Sequence, residues 1–117
     1  MKNRGTAVTF FRRPDGALIG YRCQGHTGYA EAGEDIVCAG VSALTQATLN
    51  GLQAVLKAPV MYEIDDGAAF MEAKLTPEAT ENQLRQAQLL LETLLQGLQA
   101  IARTYPQNVR IFFEERR

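Results

Sequence analysis

Cys38 and His26 are the side chains in this sequence best suited to nucleophilic chemistry. The chain holds one histidine and two cysteines, and both residues fall in the stretch GHTGYAEAGEDIVCAGVSAL, Gly25 to Leu44. Asp35 is a good helix N-cap, because its carboxylate can take a backbone N–H two or three residues on. That assignment makes Cys38 the third residue of the first helical turn. A thiol there lies near the positive end of the helix dipole, beside N–H groups with no helical partner, and both favour the nucleophilic thiolate. An imidazole brought alongside would give a thiolate–imidazolium pair. The amide of Cys38 or Ala39 is then a natural donor to the oxyanion of an acyl-transfer step.

Spacing alone does not bring the two side chains together. Twelve residues can extend to roughly 40 Å or fold back into contact, and the intervening glycines permit a return without enforcing it. The residues alone leave other readings open. Cysteine is among the most buried residue types, so Cys38 can be core. Cys23 shares a strand face with Ile19 and Tyr21 and reads as core. A Cys23–Cys38 disulfide and a metal site of Cys23, His26, Asp35 and Cys38 are weaker alternatives, since no second close pair of strong ligands exists. Ser42 has no base of its own, and no phosphate loop or dinucleotide fingerprint is present.

The elements that must position these residues can be read from periodicity. TAVTFFR at 6–12 predicts a strand, RPDG at 13–16 a type I turn, and 17–24 a second strand that closes a hairpin. Glycines 25, 28 and 33 interrupt regular structure. From Ile36 to Lys57, Val37, Val41, Leu44, Thr48, Leu52 and Val55 recur at helical spacing. Small residues (Ala39, Gly40, Ser42, Ala43) leave its first turns open to a close neighbour. Val60, Tyr62 and Ile64 predict one face of a half-buried strand, and Asp66-Gly67 turns it back into a partner over 68–75. A second helix begins near Thr76 or Thr80, where Thr80 with Gln83 fits a capping box. It runs to about Arg103 on a stripe of Leu84, Ala87, Leu91, Leu94, Leu98 and Ile101. Leu89, Leu90 and Leu95 widen that stripe towards a second contact, such as a subunit interface. Residues 108–114 form a last strand. The expected order is β-β-α-β-β-α-β, an α+β fold with a largely antiparallel sheet packed with two helices.

At 117 residues the chain is read as a single domain, 1–117, able to fold without a disulfide or metal. Twelve basic against thirteen acidic residues give a net charge of −1, which argues against direct nucleic-acid binding. The charge is uneven, however. Residues 1–22 are basic and residues 60–82 acidic, which reads as two solvated faces or as a patch attractive to a basic peptide. No stretch is long and apolar enough to span a membrane, and the start lacks a signal-peptide pattern, so a reducing cytoplasm is expected.

The stretch Gly25-His26, Gly28-Tyr29-Ala30, Gly33, and Asp35 through Leu44 resembles the signature of the bacterial ribosomal-processing cysteine protease family. The likeness extends from about Thr6 to Glu115, including the Asp-Asp-Gly hairpin and the Leu/Gln-rich second helix. It implies a small cytoplasmic homodimer that needs no cofactor or metal. Its partner would be the precursor of a large-subunit ribosomal protein, from which it removes an N-terminal extension after a phenylalanine in a hydrophobic-aromatic motif. The resemblance implies Cys38 as nucleophile and His26 as general base and then acid. Asp35 matches a supporting position, compatible with its capping role. Ser42 matches too, with a site role and a packing role both open. Thr27 departs from the family pattern, where a small apolar residue is common. The loop 27–34 is expected to move, with Gly28 and Gly33 as hinges, carrying His26 to Cys38 and covering the scissile peptide. The competing functions are a non-catalytic module that binds a ribosomal protein, and a redox or metal sensor.

Overall fold

The computed structural model of the chain describes residues 5–31 and 34–116. Its elements follow the expected order: β1 (Thr6–Arg12), β2 (Leu18–Gln24), α1 (Ile36–Asn50), β3 (Val60–Asp65), β4 (Phe70–Leu75), α2 (Glu81–Thr104) and β5 (Val109–Glu115). The strands form one sheet in the order β3-β4-β2-β1-β5. Pairings β1–β2, β2–β4 and β3–β4 are antiparallel, and β5 alone lies parallel to its neighbour β1. The fold is α+β with a largely antiparallel sheet, as the alternating patterns require.

Alternation along the strands sets the two faces. Val8 and Phe10 of β1, Tyr21 and Cys23 of β2, and Met71 and Ala73 of β4 join the buried core with Leu91, Leu94 and Leu98 of α2. The Tyr21 hydroxyl donates to the Thr45 carbonyl at 2.7 Å, pinning α1 above β2. Gly97 of α2 and Leu44 of α1 meet closely: a Cβ on Gly97 would stand 3.0 Å from a Leu44 methyl. Among the predicted small residues, Gly40 receives the Ile101 side chain, so the close neighbour of the first turns is α2. On the opposite sheet face Phe11 is sealed from water beneath the guanidinium groups of Arg22 and Arg116. Arg22 in turn pairs with Glu72 and Glu114 at 3.6 and 3.5 Å.

Thr80 opens α2 with the predicted capping box, its hydroxyl taking the Gln83 N–H while the Gln83 side chain takes the Thr80 N–H. The middle of the α2 stripe, Ala87 to Leu98, is buried and its ends Leu84 and Ile101 are partly buried. Its widening is mostly consumed within the chain: Leu95 is buried and Leu90 abuts Gly51, leaving Leu89 exposed.

Three expectations need correction. The first helix does not run regularly to Lys57; it passes at Gly51 into a π-helical turn, Gly51–Val55, closed by Leu56 N–H to the Gly51 carbonyl. Gly51 has no side chain where Leu90 presses in, and the wider turn carries the chain past that contact. The Asp66-Gly67 hairpin is not a two-residue turn. Four residues, 66–69, separate the paired Asp65 and Phe70, and Ala69 adopts a left-handed φ of 51°. The third concerns β3, whose Tyr62 and Ile64 are exposed rather than half-buried. They lie on the helix-side face, but β3 is the sheet edge, beyond the cover of the helices.

Candidate active site

The end of β2 and the start of α1 bring His26 and Cys38 to one place. Beyond Gln24, the Gly25 N–H donates to the carbonyl of the left-handed Ala69 at 2.9 Å. Gly25 itself has φ +93°, and a Cβ there would fall 2.7 Å from the Gly5 carbonyl oxygen. Only glycine fits this crossing. His26 follows, exposed, and Thr27 then turns inward and is 1% exposed.

Asp35 caps α1 as predicted. One carboxylate oxygen accepts the Cys38 N–H at 2.8 Å, which makes Cys38 the third residue of the helix. The other accepts the Thr27 hydroxyl at 2.5 Å and the N–H groups of Tyr29 and Ala30 at 3.0 and 3.3 Å. One side chain therefore caps the helix and gathers the loop against it. Burial pushes the Asp35 carboxyl up, but these hydrogen bonds outweigh it and hold the group below the usual carboxylate range. The Tyr29 ring packs edge-on against Tyr105 at the end of α2, with centroids 5.2 Å apart.

The Cys38 and Ala39 amides cannot serve as the predicted oxyanion donors. Cys38 N–H already donates to the Asp35 carboxylate, and Ala39 N–H donates to the Asp35 carbonyl at 3.0 Å. The cap that positions the thiol consumes the amides nearest to it.

His26 and Cys38 stand on the wall shared by two hollows. The smaller, about 170 Å³, is lined by both and by Cys23, Val41, Ser42, Phe70 and Met71, with Asp66 at its rim. The larger, about 670 Å³, is lined by both and by Gly28, Ala30, Glu31, Asp35 and Ala39. Thiol and imidazole thus belong to residues that line both hollows, on the wall the two share. A hollow of about 500 Å³ at the far end of the sheet, lined by Ile19, Leu75, Leu84 and the cations Arg13, Lys74 and Arg116, contains neither group.

Ser42, one turn after Cys38, lines the smaller hollow and is not confined to a helix seam. Gly28 has the left-handed φ of +72° that glycine favours, while Gly33 lies outside the described residues. Both cysteines are free, and among the described residues no group of three His, Cys, Asp or Glu could hold a metal ion.

Cys23 is buried, and that burial pushes its thiol up to about 12. Iodoacetamide at neutral pH is therefore expected to alkylate Cys38 well ahead of Cys23. Peptide mapping by mass spectrometry reads the ratio, and equal labelling of both would contradict this account of the two thiols.

Sequence reasoning found Asp35 because capping is local. It missed the hydrogen bonds of Thr6 and Asn108 beside His26 and the role of Thr27, which it noted only as a departure. A threonine opening a strand and an asparagine in a turn are too common to signal a site.

A thiol at a helix N-terminus shares the wall of two hollows with an imidazole in this α+β fold, and the family match gives the class: the chain is a cysteine protease. It belongs to the family described as Cysteine protease Prp, whose pattern matches residues 6–110. It is 31% identical over 105 residues to the ribosomal processing cysteine protease Prp of Bacillus subtilis, covering 89% of this chain and 93% of that protein. Among solved structures it is similar to the essential ribosomal processing protease Prp of Staphylococcus aureus bound to a covalently linked product peptide. That match has a TM-score of 0.83 at 27% identity and covers 93% of this chain and 99% of the other. A second structure of the S. aureus protease, with a substrate peptide, gives a TM-score of 0.78 at 26% identity with the same coverage.

Proposed function

We propose that this protease removes the N-terminal extension of a large-subunit ribosomal protein, acting in the cytoplasm with the 117 residues as one catalytic domain. The observation that carries the reading is the placement of the only imidazole and the N-terminal helical thiol on the wall shared by two hollows. The B. subtilis and S. aureus relatives, described as ribosomal processing proteases, support the substrate class.

In this reading His26 takes the Cys38 proton as Sγ attacks the scissile carbonyl, and returns it to the leaving amine as the acyl-enzyme forms. Water, deprotonated by His26, then releases the new carboxylate and restores the thiol. Asp35 supports both partners, fixing the start of α1 under Cys38 and the loop beside His26. Because Thr27 is anchored, closure over the substrate pivots beyond it, at Gly28, rather than carrying His26 towards Cys38. Met61, Tyr62 and Ile64, exposed on the β3 edge, supply apolar surface suited to pairing as a homodimer.

The test is cleavage of the uncut ribosomal-protein precursor, followed by intact mass spectrometry under reducing conditions, beside Cys38→Ala and His26→Ala proteins. The expected result is one cut near the precursor's N-terminus, absent with both variants. A precursor left whole by the wild-type protein over hours would overturn the substrate assignment.

A further inference from the structure

His26 is exposed, so the station of its imidazole depends strongly on the backbone at either side. Both sides are tied down. The carbonyl of Gly25, just before it, accepts the Thr6 hydroxyl at 2.7 Å. The carbonyl of Thr27, just after it, accepts the Asn108 side-chain N–H at 2.9 Å. The two donors are themselves linked, since the Thr6 N–H donates to the Asn108 carbonyl at 2.8 Å. Thr6 is 4% exposed, and its partner in the parallel β1–β5 register is Val109, the residue after Asn108. The first residue of β1 and the residue before β5 therefore make one bracket around a single exposed side chain.

Resting on the reading of His26 as the general base, we infer that Thr6 and Asn108 are positioning residues that set where its imidazole stands relative to Cys38. The bracket acts through the backbone and does not itself transfer a proton. Two carbonyls flanking His26 are each fixed by a donor from the same sheet junction, so the imidazole is mounted on the sheet and the thiol on the helix. Losing one donor lets the 25–27 backbone shift. A proton transfer depends on the approach of two heavy atoms, and a misplacement near 1 Å costs about a hundredfold in rate. The burden falls on kcat, because peptide contacts along the two hollows are left in place. Asn108 is the cleaner probe, since it lines neither hollow, whereas Thr6 lines the smaller one.

The experiment measures steady-state cleavage of a precursor-derived peptide by Asn108→Asp, Thr6→Val and Thr6→Ser proteins, with thermal melting of each. Asn108→Asp and Thr6→Val keep the side-chain shape and remove the donor, so kcat is expected to fall about ten- to a hundredfold with KM changed less than about twofold. Thr6→Ser, which keeps the hydroxyl, restores most of the rate. In a His26→Ala background Thr6→Val causes no further loss, which a merely structural role would not predict. Unchanged kcat in both donor-less variants, or a loss confined to KM, or the same loss with His26 absent, overturns the bracket. If His26→Ala alone leaves cleavage at the wild-type rate, the general-base reading falls and the bracket with it. If His26→Ala abolishes cleavage while the donor-less variants cleave normally, only the bracket falls.

Discussion

Replacing Cys38 with serine is expected to lower kcat for peptide cleavage by at least about a thousandfold, and His26→Ala by a comparable factor. The serine hydroxyl fits the half-buried site at the third helical position but remains protonated, so the attacking atom is lost while the cap survives. His26 projects to solvent beyond an anchored backbone, so alanine there removes the base without disturbing packing. Melting temperatures of both variants should stay within a few degrees of the wild type. The informative result is the double variant. If thiol and imidazole act as one unit, removing both is no worse than removing either, because each single change already abolishes the pair. Rates by quantitative mass spectrometry decide the matter. A Cys38→Ser protein within tenfold of wild type, or a double variant whose loss equals the product of the two single losses, would contradict the dyad.

The parts of this architecture legible in the sequence are those encoded within a few residues. Asp35 and Cys38 are three apart, and Thr80 and Gln83 likewise, so both helix starts could be written down from capping chemistry alone. Strand alternation in β1 and β2 and the stripe of α2 were equally direct. The placement of His26 and Cys38 on the same hollows was not. It depends on Thr6 holding Gly25, on Asp35 gathering Thr27, and on Asn108 holding Thr27 across 81 residues of chain. Each contact exists only after the sheet has assembled, and none leaves a local pattern.

The corrections have the same origin. The alternation in β3 is real, but alternation does not say what covers the inner face, and at the sheet edge Val60 packs on the core while Tyr62 and Ile64 stay exposed. Of the expected stripe, Leu52 stays buried in the π turn but Val55 is 76% exposed, so the pattern of apolar residues runs on where the helix does not. Asp66-Gly67 signals a reversal correctly, yet the turn takes four residues, with Ala69 left-handed and its carbonyl accepting the Gly25 N–H from just beyond β2. The oxyanion expectation failed for a related reason. It counted the free N–H groups of a helix end without counting the cap, and the Asp35 that made the helix end legible had already taken the Cys38 amide.

Asp35 is where stability and chemistry are joined, and Asp35→Ala is expected to destabilise the protein by about 2–4 kcal/mol. Loss of the cap accounts for about 1 kcal/mol, and the rest comes from stranding the nearly buried Thr27 hydroxyl. Asp35→Asn separates the two roles. Its remaining oxygen can still cap Cys38, but its NH₂ faces the N–H groups of Tyr29 and Ala30, so the loop is released while the helix start is kept. The asparagine protein should therefore lose about 1 kcal/mol in stability yet share most of the alanine protein's loss of cleavage. The pH dependence gives an independent check. The folded state holds the Asp35 carboxyl below its ordinary value, so the unfolded chain binds its proton more readily. The stabilisation is fully present above the unfolded value of about 3.9 and is lost as pH falls through the lower folded one. Asp15, Glu78 and Glu114 are also held low, but they are common to both proteins and cancel in the difference. Urea midpoints of wild type and Asp35→Asn, measured from pH 7 down to pH 3, should converge with acid. A gap that stays constant over that range would mean that the carboxylate charge does not hold the loop, and that the link from helix cap to His26 lies elsewhere.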